Sequence, residues 1–285
     1  MNITSWQAYR KTFLAGEYAA CQFGRGLLLN YGPAFQMTVG HHWQLSDLAK
    51  QILNRYDIKH SAPLVWLDPE PPHGGVGASS AELACLYNYL CINGFEKETT
   101  LVNKRAWYQT HTWSGKGLKP SGLDFLSQQL SGLIWIDCQN NICKPLDWPF
   151  DDLIWLVIKT NEKLKTYTHL ESIVTKPEFG FLNDYLDSVK TALENASLTD
   201  FISALSHYDA GLNSLNFYSM AKADMDALEH VQSKPNIYYA RGCGAMGKDT
   251  WLVLTKRATL AQSLAHIKHV YPFNKHYVID LKEAA

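Results

Sequence analysis

The segment at residues 72–81, Pro-His-Gly-Gly-Val-Gly-Ala-Ser-Ser-Ala, most constrains how this chain folds. It contains three glycines and two serines, and it lies between an apolar stretch at 63–67 and a helix-like stretch at 82–92. Glycine allows a tight turn and a close approach of the backbone to a ligand. The first N–H groups of a helix lack intrahelical acceptors, and the helix dipole is positive there. The segment therefore predicts a strand, a turn and a helix whose N-terminus binds a phosphate. The alternative is a tight turn in which a serine caps the helix.

The composition of the 285 residues is that of an ordinary globular protein, with 46% hydrophobic and 19% charged residues. The net charge of −1 provides no basic surface for a polyanion, so we expect no nucleic acid as main partner. The longest apolar run, Leu153 to Ile158, is far shorter than the roughly 20 residues that span a bilayer, so we expect no membrane partner. The six cysteines show no C-x-x-C spacing, and residues 1–16 show no signal-peptide core, which predicts reduced thiols in a cytoplasmic protein.

Strand-like and helix-like segments alternate in the first half of the chain, and helical segments dominate after Thr160. Apolar and β-branched runs predict strands over 11–21, 26–38, 63–68, 132–137, 152–159, 236–240, 251–254 and 276–281. Helical spacing predicts helices over 45–56, 80–93, 99–112, 161–174, 178–196, 198–207, 212–232 and 258–270. This pattern is typical of an α+β protein, with a boundary between its two parts near residues 145–162.

A second glycine cluster, Gly242 to Gly247, follows a predicted strand and fits G-x-G-x-x-G. A dinucleotide-binding fold needs a helix next, whereas residues 250–254 are strand-like. The cluster also nearly matches a P-loop, but Asp249 follows Lys248 where a P-loop has the serine or threonine that binds Mg²⁺. We therefore reject both interpretations, and a glycine-rich hairpin between two strands is the remaining one.

Two further segments place charged residues beside glycine. In the segment 119–124, proline and glycine predict a turn that leads into a helix. Asp124 either caps that helix or serves a phosphate site as a fixed carboxylate. In the segment 11–19, Lys11 and Glu17 are six residues apart, so on one strand they face the same side. The alternative for this pair is an exposed surface contact.

In chain order, these four segments resemble the motifs of the GHMP small-molecule kinases, which include galactokinase, homoserine kinase, mevalonate kinase and phosphomevalonate kinase. Lys11 to Tyr18 resembles the first motif, which ends in Gly-Glu-His or Gly-Glu-Tyr. Residues 75–81 resemble the second motif, G-[LV]-G-S-S-A-A, with Ala78 replacing its first serine. Residues 120–124 resemble the P-S-G-x-D of mevalonate kinases, and residues 240–249 resemble the A-K-x-S-G-A-G-G-G-D of phosphomevalonate kinases.

The resemblance implies the two-domain α+β fold of these kinases. A ribosomal S5 domain 2-like N-terminal part would cover residues 1–155, and a ferredoxin-like C-terminal part would cover residues 156–285. The active site would lie in the cleft between the two parts, where ligand sites are common. We expect a monomer or a homodimer.

The resemblance also implies roles for the motif residues. Asp124 would activate or orient the hydroxyl of the phosphate acceptor, and Lys11 would neutralise charge that develops on the transferred phosphoryl group. The phosphates of ATP would bind the glycine turn and the helix N-terminus, at Gly75, Gly77, Ala78, Ser79 and Ser80. Ser79 would also bind Mg²⁺. The acceptor would contact Glu17, Tyr18, Ser121, Gly122, Gly244, Ala245 and Gly247.

The implied function is ATP-dependent phosphorylation of mevalonate or phosphomevalonate in isoprenoid synthesis. The first and third motifs favour phosphomevalonate kinase, and P-S-G-L-D favours mevalonate kinase. Three features depart from the family: Met246 and Lys248 replace glycines, residues 108–111 lack the Mg²⁺-binding glutamate of mevalonate kinases, and residues 113–118 resemble an insertion. The alternatives are therefore a catalytically silent ligand sensor, a diphosphomevalonate decarboxylase, and a kinase for homoserine or a sugar.

Overall fold

The computed structural model of the protein describes residues 5–58, 63–69, 76–160, 166–173, 178–215 and 220–282. Within them, the first part of the chain forms, in order, β1 (Ser5–Ala15), α1 (Ala19–Phe23), β2 (Arg25–Val39), α2 (Asp47–Arg55), β3 (Leu64–Leu67), α3 (Ala78–Ile92), α4 (Leu101–Thr112), α5 (Leu123–Ser127), β4 (Gly132–Asp137) and β5 (Ile142–Leu146). The second part forms β6 (Leu153–Lys159), α6 (Thr166–Ser172), α7 (Gly180–Glu194), α8 (Leu198–Asn213), α9 (Lys222–Gln232), β7 (Ile237–Cys243), β8 (Thr250–Lys256), α10 (Leu260–Val270) and β9 (His276–Ile279).

The first sheet is built around the long strand β2, which changes partner along its length. Residues 25–30 of β2 pair with β4, and residues 36–39 pair with β3. β1 pairs with the other side of β2, β5 lies beyond β4, and all these pairs are antiparallel. Helix α3 packs on β1 and β2. Because α3 begins directly after the glycine turn, this packing holds the turn against β1.

The second sheet has the spatial order β7-β8-β6-β9, and its pairs are also antiparallel. Helices α9 and α10 pack on this sheet and on each other. Along the chain, this part consists of a strand, a helical region, two strands, a helix and a last strand. This chain order, together with the spatial order of the strands, is the split β-α-β arrangement of ferredoxin-like folds. One apolar core contains residues of both sheets and of the helices between them, including Leu29, Phe201 and Tyr239. The predicted α+β fold is confirmed, and the structure shows that both of its sheets are antiparallel.

The prediction of one continuous strand over residues 11–21 is wrong. β1 ends at Ala15, and α1 begins at Ala19, within the predicted range. Gly16 turns the chain between them with φ +110°, and a Cβ at this position would lie 2.6 Å from Gly26 Cα. Glu17 therefore lies beyond the strand, and it does not share a strand face with Lys11.

One other predicted element differs from the structure, and one strand was not predicted. The predicted helix over 212–232 is wrong as one unit, because α8 extends to Asn213 and α9 begins at Lys222. Strand β5 was absent from the sequence prediction, since Lys144 and Pro145 interrupt its apolar pattern. Within the described ranges, the helices are all too short or too polar to cross a membrane. The domain boundary between residues 155 and 156 stays a prediction.

Candidate active site

The C-terminal half of the glycine turn is fixed by backbone contacts. Gly77 precedes α3 with φ +86°, so glycine, and not a serine, occupies the N-cap. The N–H of Lys11 donates to the carbonyl of Val76 at 3.1 Å, and Gln128 Nε2 donates to the carbonyls of Gly77 and Tyr9 at 3.0 and 2.8 Å. The turn is thus tied to β1 and to the end of α5. Its predicted phosphate ligand Gly75 lies outside the described residues.

The first turn of α3 presents the remaining predicted phosphate ligands. The N–H of Ala81 makes an intrahelical hydrogen bond to the carbonyl of Gly77 at 2.9 Å. The N–H groups of Ala78, Ser79 and Ser80 lie ahead of this bond, where a helix offers donors to an anion. Ser79 is exposed, whereas Ser80 is buried and its hydroxyl donates to the carbonyl of Gly77. Of the two serines, Ser79 therefore presents its hydroxyl to a ligand.

Lys11 and Asp124 meet directly beside this turn. Lys11 Nζ is 3.7 Å from Asp124 Oδ2, and the two side chains are 17% and 21% exposed. A Cβ on Gly77 would lie 2.9 Å from Lys11 Cγ, so the lysine stem runs against the glycine backbone. The structure therefore brings together three predicted site residues from β1, α3 and α5, and it leaves the charged pair accessible.

Helix α4 holds the turn that carries Asp124. Arg105 Nε donates to the carbonyl of Ser121 at 2.7 Å, and Gln109 Nε2 donates to the carbonyl of Pro120 at 2.7 Å. Gly122 caps α5 with φ +71°, which places Asp124 in the first helical turn. Sequence reasoning missed these roles of Arg105 and Gln109. The available signal was their spacing, because residues four apart in a helix lie on the same face.

Arg105 also connects this turn to the first motif. Its Nη2 donates to the carbonyls of Ala20 and Cys21 in α1, at 2.7 and 2.9 Å. One guanidinium therefore spans α4, the turn before α5 and the helix after β1. This explains how Ser121 and Gly122 come to lie near the end of the first motif.

The predicted acceptor residues Glu17 and Tyr18 lie in the turn after β1. Glu17 is buried and accepts hydrogen bonds from Arg241 at 2.9 and 3.4 Å. Tyr18 has φ 60° and ψ −50°, and its hydroxyl is 3.0 Å from His169 Nε2 of α6. The N–H of Met246 donates to the same hydroxyl at 3.3 Å. The first motif therefore contacts the third motif and a helix of the second part of the chain.

The third motif forms a hairpin, as the strand-like residues 250–254 predicted. β7 and β8 flank a 3₁₀ turn at Ala245–Gly247, so no helix follows the glycines. Gly244 has φ +87°, and a Cβ there would lie 2.4 Å from Asp249 Oδ2. The N–H of Gly247 closes the turn on the carbonyl of Gly244 at 3.1 Å. The hairpin tip thus lies against Tyr18, through Met246.

Residues 113–118 pack on α6, which carries His169. The N–H of Leu118 donates to the carbonyl of Leu170 at 2.9 Å. A Cβ on Gly117 would lie 2.2 Å from the same carbonyl oxygen, so glycine permits this approach. The segment that resembled an insertion is therefore in contact with the helix that also reaches Tyr18.

Burial determines the protonation of the groups around Tyr18. Burial raises the pKa of Glu17 above its ordinary value, and the charges of Arg241 and Lys11 oppose this shift. Burial also raises the pKa of Tyr18, so the side chain stays a neutral phenol at neutral pH. The pKa of His169 is lowered by burial, which favours a neutral imidazole. Lys11 favours the ionised form of Glu17 less than Arg241 does.

Among the described residues, no group of three or more histidine, cysteine, aspartate or glutamate side chains could hold a metal ion by itself. Mg²⁺ in phosphoryl-transfer sites typically keeps several waters and is bound through one or two carboxylates together with substrate phosphates. The hydroxyl-bearing Ser79 at the start of α3 is exposed and can supply one further oxygen, as the serine or threonine of a P-loop does.

The sequence matches no protein-family model and no curated protein. Solved structures nevertheless match over almost the whole chain. Lactococcus lactis galactokinase in complex with galactose is 13% identical, with a TM-score of 0.74 over 97% of this chain and 93% of that chain. Streptococcus pneumoniae phosphomevalonate kinase in complex with phosphomevalonate and AMPPNP is 15% identical, with a TM-score of 0.71 over 97% and 100%.

A mevalonate kinase from L. major in complex with R-mevalonate is 13% identical, with a TM-score of 0.68 over 98% of this chain and 96% of that chain. These three kinases were solved with different small molecules, and their sequence identities to this chain are all low. The chain therefore has the fold of the GHMP kinases, as the four motifs predicted.

Proposed function

We propose that this chain is an ATP-dependent small-molecule kinase that transfers the γ-phosphate of ATP to mevalonate or phosphomevalonate. The observation that carries the proposal is the accessible Lys11–Asp124 pair, 3.7 Å apart, directly beside the Gly77 turn. A cation, a carboxylate and a helix N-terminus at one place are the groups that phosphoryl transfer requires.

ATP would bind with its phosphates at the start of α3. The backbone N–H groups of Gly77, Ala78, Ser79 and Ser80 would donate to phosphate oxygens, together with Gly75, and the helix dipole would favour the negative charge. Lys11 Nζ lies close enough to this turn to contact the transferred phosphoryl group. Its charge would then stabilise the negative charge on the equatorial oxygens in the transition state.

Asp124 would orient the acceptor hydroxyl and accept its proton. A positioned carboxylate of this kind contributes about 10²–10⁴-fold in rate. Its place in the first turn of α5, with the preceding turn fixed by Arg105 and Gln109, restricts the directions in which it can move. Most of the remaining catalysis would come from positioning and charge stabilisation.

Mg²⁺ would be held by Ser79 together with phosphate oxygens of the nucleotide, and it would supply charge neutralisation of the phosphates. The acceptor would lie between Asp124 and the wall formed by Glu17, Tyr18, Ser121, Gly122, Gly244, Ala245 and Gly247. Support for mevalonate or phosphomevalonate comes from the likeness of the motifs, and the fold is shared with kinases of other acceptors.

The proposal is tested by coupled ADP release from ATP and Mg²⁺ with mevalonate, phosphomevalonate, homoserine and galactose. Saturable ADP release with mevalonate or phosphomevalonate supports the proposal. ADP release only with homoserine or galactose would keep the kinase function and contradict the proposed acceptor. Carbon dioxide evolution from mevalonate diphosphate would identify a decarboxylase. Tight ATP binding by a folded protein without turnover of any acceptor would indicate a ligand sensor and contradict the kinase proposal.

A further inference from the structure

Tyr18 adopts a backbone conformation that a residue with a side chain rarely takes. It lies at φ 60° and ψ −50°, directly after Gly16 at φ +110° and Glu17. Such conformations persist only where the surrounding structure holds them, and they occur often at functional sites. The question is therefore which groups hold this turn.

The turn is held mainly through its backbone and through Glu17. The hydroxyl of Tyr208, which is fully buried, donates to the carbonyl of Glu17 at 2.7 Å. Arg241 Nη1 donates to the carbonyl of Leu14 at 2.8 Å, just before the turn. Arg241 Nη2 donates to Glu17 Oε1 at 2.9 Å. One arginine therefore fixes the chain on both sides of Gly16.

Arg241 is itself fixed by Asp209, which belongs to helix α8 and to none of the four motifs. Arg241 Nε lies 3.1 Å from Asp209 Oδ1, and the hydroxyl of Tyr239 donates to Asp209 Oδ2. The arginine is buried, so the two carboxylates of Glu17 and Asp209 compensate its charge. A guanidinium can contact both at once through its planar fork, whereas a lysine ammonium cannot reproduce this geometry.

The held turn directs Tyr18 to the place where three parts of the molecule meet. Its hydroxyl contacts His169 of α6 and the N–H of Met246 at the tip of the third motif. Lys11, from the Lys11–Asp124 pair, is close enough to influence the ionisation of Glu17. The orientation of Tyr18 therefore depends on Arg241 and Asp209, although neither residue is adjacent to it in sequence.

We propose that Arg241 and Asp209 are positioning residues that hold Tyr18 in the acceptor wall, so that they govern acceptor binding and leave ATP binding unchanged. The statement about the acceptor rests on the proposed kinase function. The statement about Tyr18 does not, because it concerns only how the turn is held. The two statements can therefore be tested separately.

The test compares Asp209→Asn and Arg241→Lys with matched controls at a second arginine. Arg25 of β2 lies 3.3 Å from Asp137 and also pairs with Asp187 of α7, outside the proposed site. Asp187→Asn therefore removes one carboxylate charge from an arginine with two carboxylate partners, as Asp209→Asn does. Arg25→Lys is the matching control for Arg241→Lys. Thermal unfolding of all four variants identifies any that fail to fold, and Asp209→Asn is the milder change at the tested cluster.

The first measurement is the steady-state kinetics of the acceptor that wild type phosphorylates. We expect the KM for the acceptor to rise about tenfold to 100-fold in Asp209→Asn and Arg241→Lys, as small misplacements of binding groups commonly cause. The KM for ATP should change less than about twofold, and the control variants should resemble wild type. Equal losses for ATP and acceptor, or tested variants that behave like the controls, would overturn the proposal.

The second measurement needs no activity. It follows the imidazole of His169 by NMR as a function of pH, with His169→Gln to assign the signal. Burial lowers the pKa of His169 in the wild type, and the Tyr18 hydroxyl lies 3.0 Å from its Nε2. Release of Tyr18 should expose the imidazole and return its pKa toward the ordinary value in Asp209→Asn but not in Asp187→Asn. If wild type phosphorylates no acceptor, the kinase function fails by itself, and this titration decides whether Arg241 and Asp209 hold Tyr18. An unchanged His169 titration in both tested variants would refute that role.

Discussion

Two ion pairs that begin in the same short stretch of the first motif differ sharply in accessibility. Lys11 and Asp124 are 17% and 21% exposed, and their charged atoms are 3.7 Å apart. Arg241 and Glu17 are 3% and 9% exposed, and their contact measures 2.9 Å. The first pair has one long contact, whereas Arg241 also bonds to a backbone carbonyl and to Asp209.

This difference in burial separates a pair that a ligand can reach from a pair that is fixed in place. A solvent-exposed pair stabilises a protein by about 0–1 kcal/mol. The partly exposed Lys11–Asp124 pair, with its single contact of 3.7 Å, lies nearer to this case than the buried pair does, so either side chain can turn to a ligand at a lower cost. Breaking a buried pair by removing one partner costs about 3–5 kcal/mol, so Arg241 and Glu17 stay together. In the proposed kinase, the open pair would therefore carry out the chemistry, and the buried pair would fix the geometry of the acceptor wall.

The largest effect is expected from Asp124→Asn. Because it removes the carboxylate that is proposed to accept the proton, kcat should fall by about 10²–10⁴-fold. The affinity for ATP and the thermal unfolding temperature should stay near those of wild type, because the pair is open and adds little stability. Turnover, calorimetric ATP binding and thermal unfolding check this. A variant that keeps most of its turnover would remove Asp124 from the reaction.

A somewhat smaller effect is expected from Lys11→Met, which keeps much of the stem and removes the charge. Loss of one charge-stabilising donor should lower kcat by about 10²–10³-fold. Lys190→Met is the matched control, since Lys190 pairs with Glu194 on the surface of α7, outside the site. Steady-state kinetics of both variants check the prediction. Equal effects of the two changes would argue against a specific role for Lys11.

A change of the turn beside the open pair should weaken ATP binding. In Gly77→Ala, the new Cβ would meet Lys11 and Gln128 within 3 Å, at φ +86°. We expect ATP affinity to fall about tenfold, equivalent to about 1.4 kcal/mol. Gly94→Ala is the control, because Gly94 also has a positive φ, of +77°, and no neighbour lies within 4 Å of its Cβ. Calorimetric ATP binding compares them, and equal losses in both would mean that backbone strain alone is responsible.

The smallest effect is expected at Glu82 of α3, another buried carboxylate. Glu82 accepts a hydrogen bond from the N–H of Ser46 at 2.7 Å. Burial raises the pKa of Glu82 above 4.5, so its contribution to stability is complete below pH 4.5 and is lost as pH rises through the folded value. Glu82→Gln keeps an acceptor for Ser46 and removes the charge. At pH 8 we expect Glu82→Gln to unfold at a temperature about 2–4 °C higher than wild type. The steady-state kinetics of phosphorylation should not change.

Thermal unfolding from pH 4 to pH 8 checks the sign of this effect. The gap between Glu82→Gln and wild type should widen as pH rises. A gap that narrows with rising pH would mean that the charge of Glu82 stabilises the fold, and that burial does not dominate its environment.

The open pair could be predicted from sequence because local patterns carry it. The glycines of the second motif and the Pro-Ser-Gly turn before Asp124 have strong local conformational preferences. Those preferences identified the start of α3 and the start of α5, and the structure places both against Lys11. The resemblance to a family then linked segments that are far apart in sequence.

The buried pair could not be predicted in the same way. The turn at Gly16 interrupts the strand period that seemed to place Glu17 beside Lys11, and alternation along a strand cannot reveal such a turn. Asp209 lies in the middle of α8, where an aspartate ordinarily marks an exposed face. Its pairing with Arg241 depends on how α8 packs against β7, which is a tertiary contact that no local pattern encodes.

The most direct test of the central claim, that the open pair transfers a phosphoryl group from ATP, is ³¹P NMR of the complete reaction. ATP, Mg²⁺ and the acceptor selected by ADP release are incubated with wild-type protein and with Asp124→Asn. The account predicts loss of the γ-phosphate signal and a matching new signal from the phosphorylated acceptor with wild type, and neither change with the variant on the same timescale. Formation of ADP and inorganic phosphate alone, or equal product from both proteins, would contradict it.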